Sequence, residues 1–152
     1  GLNNRRGFLI LAAGLLKFAR RAHHPLCLLY IDMDCLKHIN DTYGHEHGNT
    51  VLRTLAQALV AALPAQDLLF RTGGDEFAAV LEAASLQDAM RVAAGLEHAA
   101  RCVGTPVSIG VAFDEEGGSP DLYVRADEAL YWIKSHGRNR IRQYSFEIPS
   151  KI

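Results

Sequence analysis

The sequence has no apolar run able to cross a bilayer: its longest, LCLLYI at residues 26–31, falls far short of the roughly 20 residues a spanning helix needs. No charged-then-apolar leader opens it either, and it starts at Gly1 rather than Met. The expectation is an excised piece of a longer protein, cytoplasmic itself, with any membrane anchor lying in segments outside this sequence. Cysteine is scarce. Cys27, Cys35 and Cys102 are odd in number, widely spaced and free of any CxxC pair, which argues against a disulfide framework and a zinc site and for a reducing compartment. Charge of one sign is lacking too. Sixteen basic and 17 acidic residues leave a formal net charge of -1, so nothing global draws the chain to nucleic acid or an anionic membrane, and an anionic ligand must be met by local groups. Repeats, linkers and low-complexity stretches are absent. So is a row of exposed strand aromatics of the kind a sheet-based RNA binder presents.

What is present fits one compact domain of 152 residues, 49% hydrophobic and 22% charged, long enough to bury a core without staples. Phe8, Leu11, Ala12, Leu15, Phe18 and Ala19 recur at helical spacing and predict a helix over about 5–22, ended near Pro25. LCLLYI, apolar throughout, predicts a central strand covered on both faces. A second long helix is expected over about 45–62, stopped by Pro64. Strands at Leu68–Arg71 and Phe77–Leu81 flank Gly73-Gly74, a pair that suits a two-residue turn with positive φ at both positions. Ser85, with Asp88 three residues on, should cap the next helix. A strand at Val107–Phe113 follows, then a helix opening at Ser119-Pro120 and closing at Gly137, and a last strand at Arg140–Tyr144. The order β-α-β-β-α-β, with a helix before it and a helix-strand unit after, predicts an α+β fold of ferredoxin-like arrangement: a mostly antiparallel five-stranded sheet flanked by helices.

The carboxylates suggest the chemistry. The central strand ends in Asp32-Met33-Asp34, and Asp75 and Glu76 sit at the hairpin turn. If the hairpin lies beside the central strand, Asp32 and Asp75 approach each other and repel unless a cation sits between them. Hard oxygen ligands suit Mg²⁺, or Mn²⁺ in its place, together with substrate phosphates. Acidic hairpin turns also arise because Asp and Glu are simply soluble there, so FRTGGDEFAAVL at 70–81 does not decide the matter alone. Cys35, Leu36 and Lys37 follow the acidic strand end, where backbone N–H groups and a lysine can hold phosphates. Lys134 and Arg138, one turn apart near Gly137, either cap a helix C-terminus or add to a polyphosphate site. His45 and His47 in GHEHG lie two apart, on different sides of a helix, and read as surface or capping residues.

GLNNRRGF, YIDMDCLKHINDTYGHEHG, RTGGDEFAAVL, VSIGVA and RADEALYWIKSHGRNRI stand in the order and spacing of the diguanylate cyclase family, and the chain resembles a GGDEF domain along nearly its whole length. The resemblance implies the palm fold of class III nucleotide cyclases. It also implies condensation of two GTP molecules into cyclic di-GMP with release of pyrophosphate, by a transient homodimer of half-sites. Carried over by motif position, Asp32, Asp75 and the carbonyl of Met33 would bind Mg²⁺, and Glu76 would be a general base or second metal contact. Lys37 and the amides of Cys35 and Leu36, joined by Lys134 and Arg138, would hold the phosphates, and Asn40 would hydrogen-bond guanine. Members commonly carry a sensory or phosphoreceiver domain upstream.

Three positions depart from that pattern. Asn49 stands where members usually have Asp, and an amide can accept only one of guanine's two adjacent donors, costing about 1.5–3 kcal/mol of charge-assisted hydrogen bonding. Use of ATP beside GTP, giving mixed cyclic GMP-AMP, is therefore an open alternative. A catalytically silent module binding GTP or a dinucleotide is another, although the signature acids Asp75 and Glu76 are intact. The RxxD motif of the family's product-inhibition site is replaced by Pro64-Ala65-Gln66-Asp67. Leu36 stands where Phe is usual before the lysine.

Overall fold

The computed structural model describes residues 5–65, 67–116, 121–137 and 141–143. A first helix, α1 (Arg5–Ala22), leads into β1 (Leu26–Met33). Two helices follow, α2 (Leu36–Tyr43) and α3 (His45–Ala62), then the hairpin strands β2 (Leu68–Arg71) and β3 (Glu76–Leu81). The chain continues through α4 (Leu86–Cys102), β4 (Val107–Asp114), α5 (Leu122–Ser135) and β5 (Ile141–Gln143). The sheet order is β2-β3-β1-β4-β5. All pairs are antiparallel except β4 with β5. This is the expected α+β palm.

β1 is buried along its whole length, and its alternating side chains feed two cores, as a period of two requires. Cys27, Leu29, Ile31 and Met33 pack toward Leu52, Leu55 and Leu59 of α3 and Ala89, Ala93 and Leu96 of α4. Leu26, Leu28 and Tyr30 pack on the other side with Ala19 of α1 and Leu122, Ala126 and Leu130 of α5. Asp32 belongs by the same alternation to the α5 side. That helix lies very close to the sheet: a Cβ on Gly110 of β4 would run into the Ala126 carbonyl oxygen and the Leu130 amide. Glycine there is a requirement of packing, and the close approach brings the C-terminal end of α5 within reach of Asp32.

Several boundaries match expectation, including α3 at 45–62 and the cap on α4, where Ser85 Oγ accepts from the Asp88 amide at 3.1 Å. The Ser119-Pro120 start and the outer residues of the last strand, Arg140 and Tyr144, lie outside the described residues; α5 is seen from Leu122, with Asp121 at its N-cap. Two features differ from the sequence reading. Residues 36–43 form a separate helix, broken from α3 by Gly44 at φ 89°. And the Gly73-Gly74 turn is not a two-residue turn with positive φ, since the only described glycines with positive φ are Gly44, Gly104 and Gly137. Pairing stops at Arg71 opposite Phe77, while the amides of Thr72 and Gly73 both donate to the Glu76 carbonyl, at 3.0 and 3.4 Å. The reason is Arg71, whose Nε and Nη2 reach the carbonyls of Gly73 and Gly74 at 3.2 and 2.7 Å and hold open a wider loop.

Candidate active site

The last turn of the hairpin rests on the end of the central strand. Asp32 pairs in register with Glu76, and the Met33 amide donates to the Asp75 carbonyl at 3.0 Å. One carboxylate oxygen from each of Asp32, Asp75 and Glu76 lies within 4.8 Å of the others. Asp32 is only 2% exposed, and its Oδ1 is buried with no hydrogen-bond partner, while Oδ2 meets the Lys134 ammonium at 2.9 Å. Burial raises the Asp32 carboxyl to about 6; the neighbouring Asp75 and Glu76 push the same way and Lys134 pulls against them. Three acidic groups this close, one with an orphaned oxygen, fit a hard divalent cation.

The surrounding groups fix these acids in place. Tyr30 Oη donates to Glu76 Oε2 at 2.8 Å and accepts from Tyr123 Oη at 3.2 Å. Burial, joined by these hydrogen bonds, pushes the Tyr30 phenol far above its ordinary range, so it remains a donor. Ser108 Oγ donates to Asp34 Oδ1 at 2.6 Å, and the Asp34 amide donates to the Pro106 carbonyl at 3.1 Å, which ties the chain leaving β1 to β4. Gly73 leaves room for Glu76, whose Oε2 would be 3.3 Å from a Cβ at that position.

Of the sequence candidates, the structure brings together Asp32, Asp75, Glu76 and Lys134, with Met33 adjoining. Cys35 is the N-cap of α2, and no side chain caps that terminus. Leu36 and Lys37 form its first turn, with Lys37 exposed. The Asn40 side chain lies against the backbone of Gly48 on α3, where a Cβ would collide with its Oδ1; that oxygen is buried and unpartnered. Asn49, the next residue, is exposed. Arg138 lies outside the described residues. Lys134 was expected among the phosphate contacts, and here its ammonium sits on Asp32. Tyr30, Tyr123, Arg71 and Ser108 were not anticipated. The only sequence signal was a tyrosine inside an otherwise aliphatic strand, a costly place for a hydroxyl without a partner.

An open groove of about 250 Å³ lies elsewhere, at the opposite end of the β2–β3 ladder, lined by Val60, Leu63, Pro64, Asp67 and Leu68 among others. It is shallow and holds no acidic cluster. The convergent chemistry is at the hairpin turn.

Such a palm, with acids at the central strand's end and the hairpin bend, is the nucleotide-cyclase class of fold. Residues 1–140 match the family described as "Diguanylate cyclase, GGDEF domain", and the chain belongs to that family. It is 38% identical over 154 residues to the response regulator PleD of Caulobacter vibrioides, covering 93% of this chain and 34% of PleD. It is 42% identical over 149 residues to the diguanylate cyclase DgcM of Escherichia coli, covering 93% of this chain and 36% of DgcM. The chain thus spans about a third of the length of these curated relatives. Among solved structures, the GGDEF domain of TpbB (YfiN) from Pseudomonas aeruginosa superposes with a TM-score of 0.89 at 34% identity, covering 97% of this chain and 99% of that one. The GGDEF domain of DgcB from Caulobacter crescentus, solved in complex with c-di-GMP, superposes at 0.81 with 30% identity, covering 93% and 91%.

Proposed function

We propose that this domain is a diguanylate cyclase that condenses two GTP molecules into cyclic di-GMP. The observation that carries the reading is the buried Asp32 carboxylate with its orphaned Oδ1, held within 4.8 Å of Asp75 and Glu76. Asp32, Asp75 and the Met33 carbonyl would hold Mg²⁺ or Mn²⁺, with Glu76 as the further acidic contact or general base. Bound there, the ion neutralises charge on the triphosphate and lowers the pKa of the attacking hydroxyl. The amides at the start of α2, Cys35 and Leu36, receive phosphate oxygens with Lys37. Lys134 exchanges its carboxylate partner for phosphate when nucleotide arrives, and Arg138 joins it. Asn40 and Asn49 face the purine across the α2–α3 junction.

The reaction is an in-line attack of the 3′-OH of one GTP on the α-phosphorus of the other, with pyrophosphate leaving; two such transfers close the ring. Each domain offers one nucleotide site. Two copies must therefore face each other, and a homodimer of half-sites is the working species. A sensory or receiver domain upstream would control this pairing, the whole acting in the cytoplasm.

Incubation with Mg²⁺ and GTP should yield cyclic di-GMP by mass spectrometry and release pyrophosphate, both lost in Asp75→Ala. GTP binding without release would favour a silent binding module instead. Asn49 favours one variant of the main reading, since an amide can also pair with an adenine edge. With equimolar GTP and ATP, a share of cyclic GMP-AMP supports that variant, and pure cyclic di-GMP rejects it.

A further inference from the structure

We propose that Tyr30 is a positioning residue for the metal site: its phenol holds the Glu76 carboxylate in the orientation that a divalent cation requires, with Tyr123 as the second link. The proposal rests on the reading of Asp32, Asp75 and Glu76 as a cation site. Tyr30 is 3% exposed in the core between the sheet and α5, where phenylalanine would fill the same space without a hydroxyl to satisfy. Its hydroxyl has two partners, giving a proton to Glu76 Oε2 at 2.8 Å and taking one from Tyr123 at 3.2 Å. The two rings also pack, with centroids 5.3 Å apart.

Placement explains why this phenol reaches that acid. Tyr30 precedes Asp32 by two residues on the same face of β1, and Asp32 stands opposite Glu76. Glu76 is only half-buried and shares its space with two other carboxylates. Like charges at such distances repel, so an untethered Glu76 side chain would turn toward solvent. The Tyr30 bond opposes that turn, and the Tyr123 bond fixes the phenol's own rotation by tying it to α5. Hydrogen bonds to a liganding carboxylate act on the metal through geometry and basicity, and their loss commonly costs ~10- to 100-fold in metal affinity or activity. Because the tyrosines never touch the reacting atoms, their contribution should appear in metal dependence rather than in nucleotide recognition.

The test is a titration of the purified domain with Mn²⁺ alone, following free Mn²⁺ by electron paramagnetic resonance. Tyr30→Phe should raise the Mn²⁺ Kd by ~10- to 100-fold. Tyr123→Phe should shift it in the same direction by less. In turnover assays the kcat of Tyr30→Phe should recover as Mg²⁺ is raised, with the KM for GTP at saturating metal unchanged, a rescue that a general packing defect would not show. A wild-type Mn²⁺ Kd in Tyr30→Phe overturns the proposal; if that variant does not fold, a wild-type Kd in Tyr123→Phe does so. Asp75→Ala separates the two levels of inference. Loss of Mn²⁺ binding there with full binding in Tyr30→Phe removes only the tyrosine's role, whereas full binding in Asp75→Ala removes the cation site itself.

Discussion

The β2–β3 hairpin has two ends that differ in kind. At the turn, Asp75 and Glu76 are tied by Arg71, Tyr30 and the Met33 amide into a dense polar cluster around Asp32. At the far end, Pro64, Ala65 and Asp67 border an open groove, and Asp67 Oδ1 has a local task, accepting from the Glu82 amide at 3.0 Å. Both ends carry acids on loops of the same hairpin. Only at the turn do acids converge from separate elements with an oxygen left over, so it is shared convergence and burial, rather than acidity, that separates a candidate site from a structural loop.

The sharpest way to break this contrast is to neutralise one acid at each end. Asp32→Asn should lower pyrophosphate release by on the order of 10²-fold or more, since the lost charge stabilisation amounts to several kcal/mol. Asp67→Asn should leave the rate within about twofold and cost on the order of 1 kcal/mol in a chemical melt, as one weakened hydrogen bond would. Equal kinetic losses at the two ends would erase the distinction.

Next in size is Gly110→Ala. The added methyl must displace α5, so a loss of about 1–3 kcal/mol is expected from overpacking, together with lower activity as Lys134 retreats from Asp32. Thermal melting and initial rates check both parts, and a stable variant with full activity would show that the helix is not pinned where the glycine places it.

A smaller effect concerns pH in the absence of divalent ions. The Asp32 carboxyl is raised from an ordinary 3.8 to about 6 by burial, so the folded state binds its proton more tightly than the unfolded one. Its contribution to stability is fully present below about 3.8 and is lost as pH rises through about 6. In EDTA the melting temperature should therefore fall between pH 5 and 7.5, and Asp32→Asn should flatten that change. A rising melting temperature that Asp32→Asn leaves unaltered would contradict it.

The smallest expected effect lies at the far end again. Without an arginine in Pro64–Asp67, added cyclic di-GMP should leave initial rates almost unchanged, and submicromolar inhibition would show that this end is a regulatory site after all.

Much of the fold was legible because local rules governed it. LCLLYI reads as a doubly covered strand from composition alone, and α3 lies between Gly44 and Pro64 as its apolar spacing and punctuation require. The acids of the candidate site were legible because a strand end and a hairpin bend can be placed from order. What escaped depends on partners distant in sequence. Tyr30 and Glu76 are 46 positions apart and Tyr123 and Tyr30 are 93 apart, so neither pairing leaves a local trace. The glycine turn was misread because Arg71 reshapes it through carbonyl contacts that glycine propensity does not encode. α2 was missed as a separate helix because it is short and buries no residue fully.

Gly110 has a consequence for how errors propagate in this molecule. The helix it admits carries Tyr123 near one end and Lys134 near the other, about 16 Å apart at 1.5 Å per residue. One rigid rod thus supplies an ammonium to Asp32 directly and, through Tyr30, a phenol that steadies Glu76. Misplacing that rod disturbs both grips together, so defects seeded anywhere along it should be strongly non-additive with changes at either tip.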